Sequence, residues 1–411
     1  MLALVTAETP VYSGFVETRL ETGYPLKQSG SKTQRRREFL RNASLLAGLG
    51  HAGLLTGQTL DPSLITRERQ PENLEFPFSS LDSFLTPNER FYVRNHFAAP
   101  VLESSAHLLK IGGTVKRPFE ITLDELRKLG QSKVIATLEC AGNSRALLTP
   151  QVGGVQWELG AVSTAEWTGV PLTKLLDRAG LSPDALEVVF EGADKGEPKN
   201  DPRPPGGTPY VRSIPLTKAR RPEVLIAWAM NGKDLPQSHG APVRAVVPGY
   251  YGMSSVKWLT GIQVINVPFG GYWQTTDYAY WDRSSGIPLR RPLMDMQVKS
   301  LIARPARRET LKANTSYQVT GAAWTGDADI TKVELSSDGG KTWKEATIID
   351  KAVRFAWRRW ECEWQVPAET GRHVLMTRAT DTRGNTQPTQ HNRDMGNYGI
   401  HHTVPIEIQV S

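Results

Sequence analysis

Cys140 is one of only two cysteines in 411 residues. It ends an apolar, β-leaning run, Lys133-Val134-Ile135-Ala136-Thr137-Leu138-Glu139, and the small-residue turn Ala141-Gly142-Asn143-Ser144-Arg145 follows it. A strand that delivers a thiolate into such a turn can present a soft ligand to a metal. The same cysteine can equally be a small buried hydrophobe. Other clusters bear on the choice. Phe91-Tyr92-Val93-Arg94-Asn95-His96 gathers three hydrogen-bonding side chains ahead of a strand. Gln237-Ser238-His239-Gly240-Ala241-Pro242-Val243-Arg244 runs from a turn into a strand, and Gly249 to Trp258 is a glycine-flanked loop carrying Ser255, Val256 and Lys257. Arg94, Arg145, Arg244, Lys257, His96 and His239 together are more cationic donors than a core tolerates, and they suit a phosphate or oxyanion.

The elements that must position these residues fall into two textures. From Phe91 to about Val267 the chain reads as mixed α and β, with strands at Leu108–Gly112, Lys133–Glu139, Glu187–Glu191, Val224–Ala229, Val243–Val247 and Ile262–Asn266. Thr122, with Glu125 three residues later, marks a helix start, and Pro171 to Ala179 reads as an amphipathic helix stopped by Gly180. From about Leu293 short strands recur between turns: Val298–Ile302, Thr315–Ala323, Ile330–Ser336, Lys341–Ile348, Arg354–Glu363 and Gly371–Thr380. Ser337-Asp338-Gly339-Gly340 is a hairpin turn between two of them. This pattern predicts an immunoglobulin-like β-sandwich. The expected organisation is a leader over residues 1–60, a catalytic domain over 61–275 and the sandwich over 276–411.

The net charge is +7, and residues 1–60, with seven Lys or Arg against four Glu, carry three of those charges. The remainder is mildly basic, which does not point to nucleic acid. Arg35-Arg36-Arg37-Glu38-Phe39-Leu40, followed by a short, weakly apolar stretch from Ala43 to Gly57, resembles a twin-arginine export signal. It is too short and polar for stable membrane insertion. Export implies an oxidising compartment such as the periplasm; even there, the distant Cys362, in the alternating run Trp360-Glu361-Cys362-Glu363-Trp364, reads as a core residue rather than a disulfide partner. No Cys-x-x-Cys-His is present, so no covalent haem is expected in this chain.

Thr137 to Arg145, then Trp157, then Gly160 to Leu172, together with Tyr92 to His96, Ser238 to Arg244 and Val256 to Leu259, resembles the sulfite oxidase family of molybdopterin enzymes. The likeness runs from about residue 75 to the C-terminus, and the Ser337 to Trp343 hairpin resembles the family's dimerisation sandwich. The resemblance implies an α+β fold: a mixed α/β molybdopterin-binding domain followed by an immunoglobulin-like domain. It implies that Cys140 ligates molybdenum, and that Tyr92, Val93, Arg94, Asn95, His96, Asp194, His239, Arg244, Ser255, Val256 and Lys257 bind the pterin cofactor. It further implies an anion pocket of Arg94, Arg145, Trp157, Tyr278 and Arg393, the last reaching in from the second domain. Sulfite is the implied substrate, a c-type cytochrome the expected electron acceptor and a homodimer the expected assembly. Sulfane dehydrogenase, nitrate reductase and protein-methionine-sulfoxide reductase are alternatives within the family. A non-catalytic exported anion-binding protein is the alternative from another class.

Overall fold

The computed structural model describes residues 60–411. The twin-arginine segment lies outside the described residues. Among those described, no helix is long and apolar enough to cross a membrane.

Five strands build the sheet that carries Cys140. Ser132–Glu139 pairs antiparallel with Val162–Pro171, which pairs with Leu225–Met230, which in turn pairs with both Lys233–Asp234 and Arg244–Val246. Ser132–Glu139 is therefore an edge strand. A second sheet runs Phe119–Thr122, Leu108–Gly113, Leu259–Ile265, Glu187–Gly196, Thr208–Pro215, with one parallel pair between Leu108–Gly113 and Leu259–Ile265. Its strands carry Asp194 and Tyr210 to the site. The capping box at Thr122 forms, with Glu125 N–H donating to the Thr122 hydroxyl and the Glu125 carboxylate accepting from Thr122 N–H. The helix Leu172–Ala179 stops where Gly180 takes a positive φ of 70°.

The C-terminal part is a sandwich of a four-stranded and a five-stranded sheet. The expected strand Lys341–Ile348 is two pieces. Lys344–Glu345 pairs with Ile330–Ser336, whereas Thr347–Ile348 pairs with Arg358–Gln365 in the opposite sheet. Ala346, buried between them, is the crossing point. The hairpin before it is tied by Asp338, whose carboxylate accepts from the Thr342 hydroxyl and then from the backbone N–H groups of Thr342 and Lys341, which holds it well below the usual carboxylate range.

The first sandwich strand begins at Lys299. Between residue 276 and that point the chain stays tied to the catalytic part: Tyr251 N–H donates to Met294 carbonyl and Met296 N–H to Gly249 carbonyl. A single cluster of buried apolar residues runs from Phe76 through Trp167 and Tyr251 to Trp324, Trp357 and Val410. The two domains thus share one core.

Candidate active site

Cys140 sits at the C-terminal end of its edge strand, 6% exposed. The turn after it closes when Asn143 N–H donates to Cys140 carbonyl at 2.8 Å, and Ser144 takes a left-handed φ of 79°. That reversal throws Arg145 back toward the cysteine. Cys140 carries no disulfide, and neither does Cys362, which is buried in its strand.

Two cavities meet at Cys140. The inner one, about 660 Å³, is lined by Tyr92, Arg94, His96, Asp194, His239, Arg244, Ser255, Val256 and Lys257, among others. The outer one, about 630 Å³, includes Arg145, Asp277, Trp273 and Tyr398 in its lining. Arg94, His96, Cys140 and Tyr278 belong to both and form the partition. Tyr278 hydroxyl lies 2.6 Å from His96 Nε2, and the His96 ring stacks on Tyr210 with centroids 4.2 Å apart. Burial, then the nearby Arg94, Lys257 and Arg212, hold His96 well below its usual pKa, so it is neutral. Burial raises the Tyr278 phenol in the opposite sense.

The inner cavity is built from charged groups whose own partners are mostly backbone. Arg244 donates to the carbonyls of His239 and Ser255, each at 2.9 Å, and lies 4.8 Å from the Trp167 ring. Burial lowers its pKa to about 10. Lys257 donates to Asn95 Oδ1 and to Ser238 carbonyl. His239, pushed down to about 3 by burial and then by Lys257 and Arg244, is neutral. Asp194 is the one carboxylate in the lining, against the cations Arg94, Arg244 and Lys257. Its buried Oδ1 has no hydrogen-bond partner among the described residues.

These features fit a molybdopterin. A phosphate answers the excess of cations, and a pterin N–H answers the orphaned Asp194 oxygen. Arg244 and Lys257 would hold the phosphate, Asp194, Tyr92 and His239 the ring system, and Cys140 the metal.

Burial raises Asp194 to about 6 from its ordinary 3.8. Below the lower value both folded and unfolded chains are protonated there. Between the two only the unfolded chain ionises, and above about 6 the folded chain carries a buried carboxylate. Cofactor-free protein therefore loses stability as pH rises through this window, by up to about 3 kcal/mol. Asp194→Asn is expected to raise the melting temperature of cofactor-free protein near neutral pH and to leave it unchanged at about pH 3. Thermal melts of both proteins across that range check this.

Arg145 is 3% exposed. Its Nη1 donates to Val155 carbonyl at 2.9 Å, its Nε to Asn397 carbonyl at 3.0 Å, and its guanidinium lies 5.0 Å from the Tyr398 ring. Gly142 and Gly154 make room for it: a Cβ on Gly142 would stand 2.4 Å from Nη2, and one on Gly154 2.7 Å from Nη1. Neither Arg94 nor Arg145 forms an ion pair with a carboxylate of the described residues within 4.0 Å. Gly142→Ala is expected to displace the guanidinium and raise KM for an anionic substrate about tenfold or more, with a fall in melting temperature as the Val155 and Asn397 contacts loosen. Steady-state kinetics beside a thermal melt test it.

Four expected site residues line neither cavity. Arg393 is exposed and lines neither cavity. Its segment does reach the site, but the side chain it delivers is Tyr398, because the turn Arg393–Met395 points outward before Gly396 reverses the chain with a φ of 60°. Trp157 is fully buried beneath the Arg145 turn, where its carbonyl accepts from Ala146 N–H, and it lines neither cavity. Val93 exchanges backbone hydrogen bonds with Leu74 and packs with Leu64 and Leu74. Asn95 acts one layer back, orienting Lys257. Tyr210, Asp277 and Tyr398 went unassigned in the sequence. Tyr398 follows Arg393 by five residues and Asp277 immediately precedes Tyr278, so both lay within recognised segments. Tyr210 had no such signal.

Residues 96–273 match the family described as oxidoreductase molybdopterin binding domain, and residues 290–409 match the Mo-co oxidoreductase dimerisation domain. The chain is 37% identical to sulfite oxidase of Gallus gallus over 349 residues, covering 80% of this chain and 73% of that one. It is 35% identical to mitochondrial sulfite oxidase of Rattus norvegicus, covering 80% of this chain and 62% of that protein's length. Among solved structures, the sulfane dehydrogenase SoxCD from Paracoccus pantotrophus superposes with a TM-score of 0.72 at 26% identity, over 92% of this chain and 97% of that one.

Proposed function

Since the chain belongs to the molybdopterin-binding oxidoreductase family that contains the sulfite oxidases, we propose that it oxidises sulfite to sulfate and passes the electrons to an external carrier, a c-type cytochrome. The observation that carries this reading is the partition itself. Arg94 and Arg145, free of carboxylate partners among the described residues, converge on the cavity wall formed by Cys140 and Tyr278.

When bound, molybdenum supplies two-electron oxygen-atom chemistry. The residues supply the rest. The guanidiniums of Arg94 and Arg145 hold the oxygens of a small anion and fix its orientation. Tyr278 and His96, both neutral, place a polar hydrogen-bonding pair at the junction without adding a charge. The rings of Tyr278, Tyr398 and Trp273 wall the outer chamber and limit its water, with Tyr278 and Tyr398 centroids 4.6 Å apart. The dimerisation-domain match supports a homodimer formed through the sandwich, and the twin-arginine motif supports export to the periplasm.

Purified protein from a molybdopterin-competent host tests the proposal. Molybdenum near one per chain, with sulfite-dependent reduction of ferricyanide and cytochrome c, is the expected result. Turnover of a persulfide substrate in place of sulfite would shift the assignment to a sulfane dehydrogenase. Absence of molybdenum would favour an anion-binding protein.

A further inference from the structure

The nine residues from Thr137 to Arg145 pair on one side with the Val162–Pro171 strand and its lead-in, and on the other side they are held by the second domain. Thr137 N–H donates to Phe355 carbonyl at 2.9 Å, and Trp357 N–H donates to the Thr137 hydroxyl at 2.7 Å. Gly399 N–H donates to Ala141 carbonyl at 2.8 Å. Arg145 is held by Asn397.

At the centre lies a buried charge pair. Lys299, on the first sandwich strand, donates from Nζ to Glu139 Oε1 at 2.8 Å, with side chains 1% and 2% exposed. The same ammonium donates to Asn143 carbonyl at 3.1 Å. The other carboxylate oxygen of Glu139 accepts from Trp324 Nε1 at 2.9 Å, and Asn143 Nδ2 donates to Glu139 Oε1 at 3.1 Å. Lys299 therefore bridges the residue before Cys140 and the third residue after it. Those are the two ends of the turn that aims the sulfur. A pair serving only to join domains needs no contact with the turn's carbonyl. A buried pair is weak evidence for stability, so its place across this turn calls for another account.

We propose that Lys299 is a positioning residue for the Cys140 thiolate: a side chain of the dimerisation domain that fixes the angle at which the catalytic domain presents its metal ligand. Holding a soft ligand rigidly from outside its own domain makes ligand geometry depend on how the two domains dock. The inference rests on Cys140 being the molybdenum ligand, a reading that the unsubstituted enzyme tests alone through its metal content and sulfite turnover.

The decisive variants are Lys299→Met and the double substitution Glu139→Gln with Lys299→Met, each isolated with molybdenum loaded. Removing Lys299 alone strands a buried carboxylate, and that variant can fail to fold. The double variant removes both charges and keeps the Trp324 contact. The readouts are the thiolate-to-molybdenum absorption band, the split between kcat and KM for sulfite, and the melting temperature. The expected result is a folded double variant with molybdenum content unchanged, a displaced absorption band, kcat reduced about tenfold to a hundredfold and KM within about twofold. Lys299→Arg, which keeps the charge, should recover part of the band position. A double variant with the wild-type band and wild-type kcat would overturn the proposal and leave the pair a domain staple.

Discussion

Cys140→Ser is expected to lower sulfite turnover about a thousandfold or more while the pterin stays bound. Loss of a thousandfold corresponds to about 4 kcal/mol of transition-state stabilisation. A serine hydroxyl does not ionise near neutral pH and is a harder donor, so it cannot replace a thiolate toward molybdenum. The substitution disturbs little else. Backbone hydrogen bonds at this position, from Cys140 N–H to Ala161 carbonyl and from Asn143 N–H to Cys140 carbonyl, do not involve the side chain. Arg244, Lys257, Asp194 and His239 line the inner cavity independently of it. Elemental analysis, a melting curve and ferricyanide-coupled turnover separate the effects. Turnover within tenfold of the parent would show that Cys140 is not the essential ligand.

Arg145→Gln is the second large effect. The guanidinium faces an anion site with no carboxylate to balance it, and removing one such donor commonly costs a hundredfold to about a thousandfold in rate. The expected outcome is a higher KM for sulfite, a lower kcat, and a weaker dependence of kcat/KM on ionic strength. Arg145 also holds Asn397 and underlies Tyr398, so a fall in melting temperature should accompany the kinetic loss. Arg145→Lys keeps the charge but not the planar fork, and its activity should fall between the two. Unchanged KM in Arg145→Gln would assign the residue to structure alone.

The sequence made Arg94, Arg145, His239, Arg244 and Lys257 legible because each lies in a short segment whose polar density is costly to bury, Cys140 because an apolar strand delivers it into a small-residue turn, and Tyr278 through the family resemblance alone. The structure brings these seven to the two cavities. The capping box at Thr122 and the glycine stop at Gly180 were readable from local chemistry alone. What could not be read is instructive. Arg393 stands exposed outside both cavities because its turn faces outward, and Gly396 then reverses the chain so that Tyr398, five residues on, lines the outer cavity instead. The strand Thr208–Pro215, which carries Tyr210, follows Pro202, Pro204, Pro205, Gly206 and Gly207. Those residues mask a strand start, and its partner is fixed by tertiary pairing with Glu187–Gly196. Lys341–Ile348 read as one strand because alternation continues across Ala346, although the two halves serve opposite sheets. The Glu139–Lys299 contact joins positions far apart in sequence, and nothing local to either residue announces it.

The edge position of Ser132–Glu139 has a consequence for handling the protein in pieces. In the intact chain its outer rim is covered near the cysteine by Phe355 and Trp357. A catalytic domain expressed without the sandwich would display that rim to solvent as a template for strand addition between copies. It would also carry Glu139 without its Lys299 and Trp324 partners, leaving the turn after it unbraced. Truncation should therefore yield self-associating, metal-poor material rather than a smaller enzyme, and the sandwich acts in effect as an intramolecular chaperone for the strand that bears the ligand.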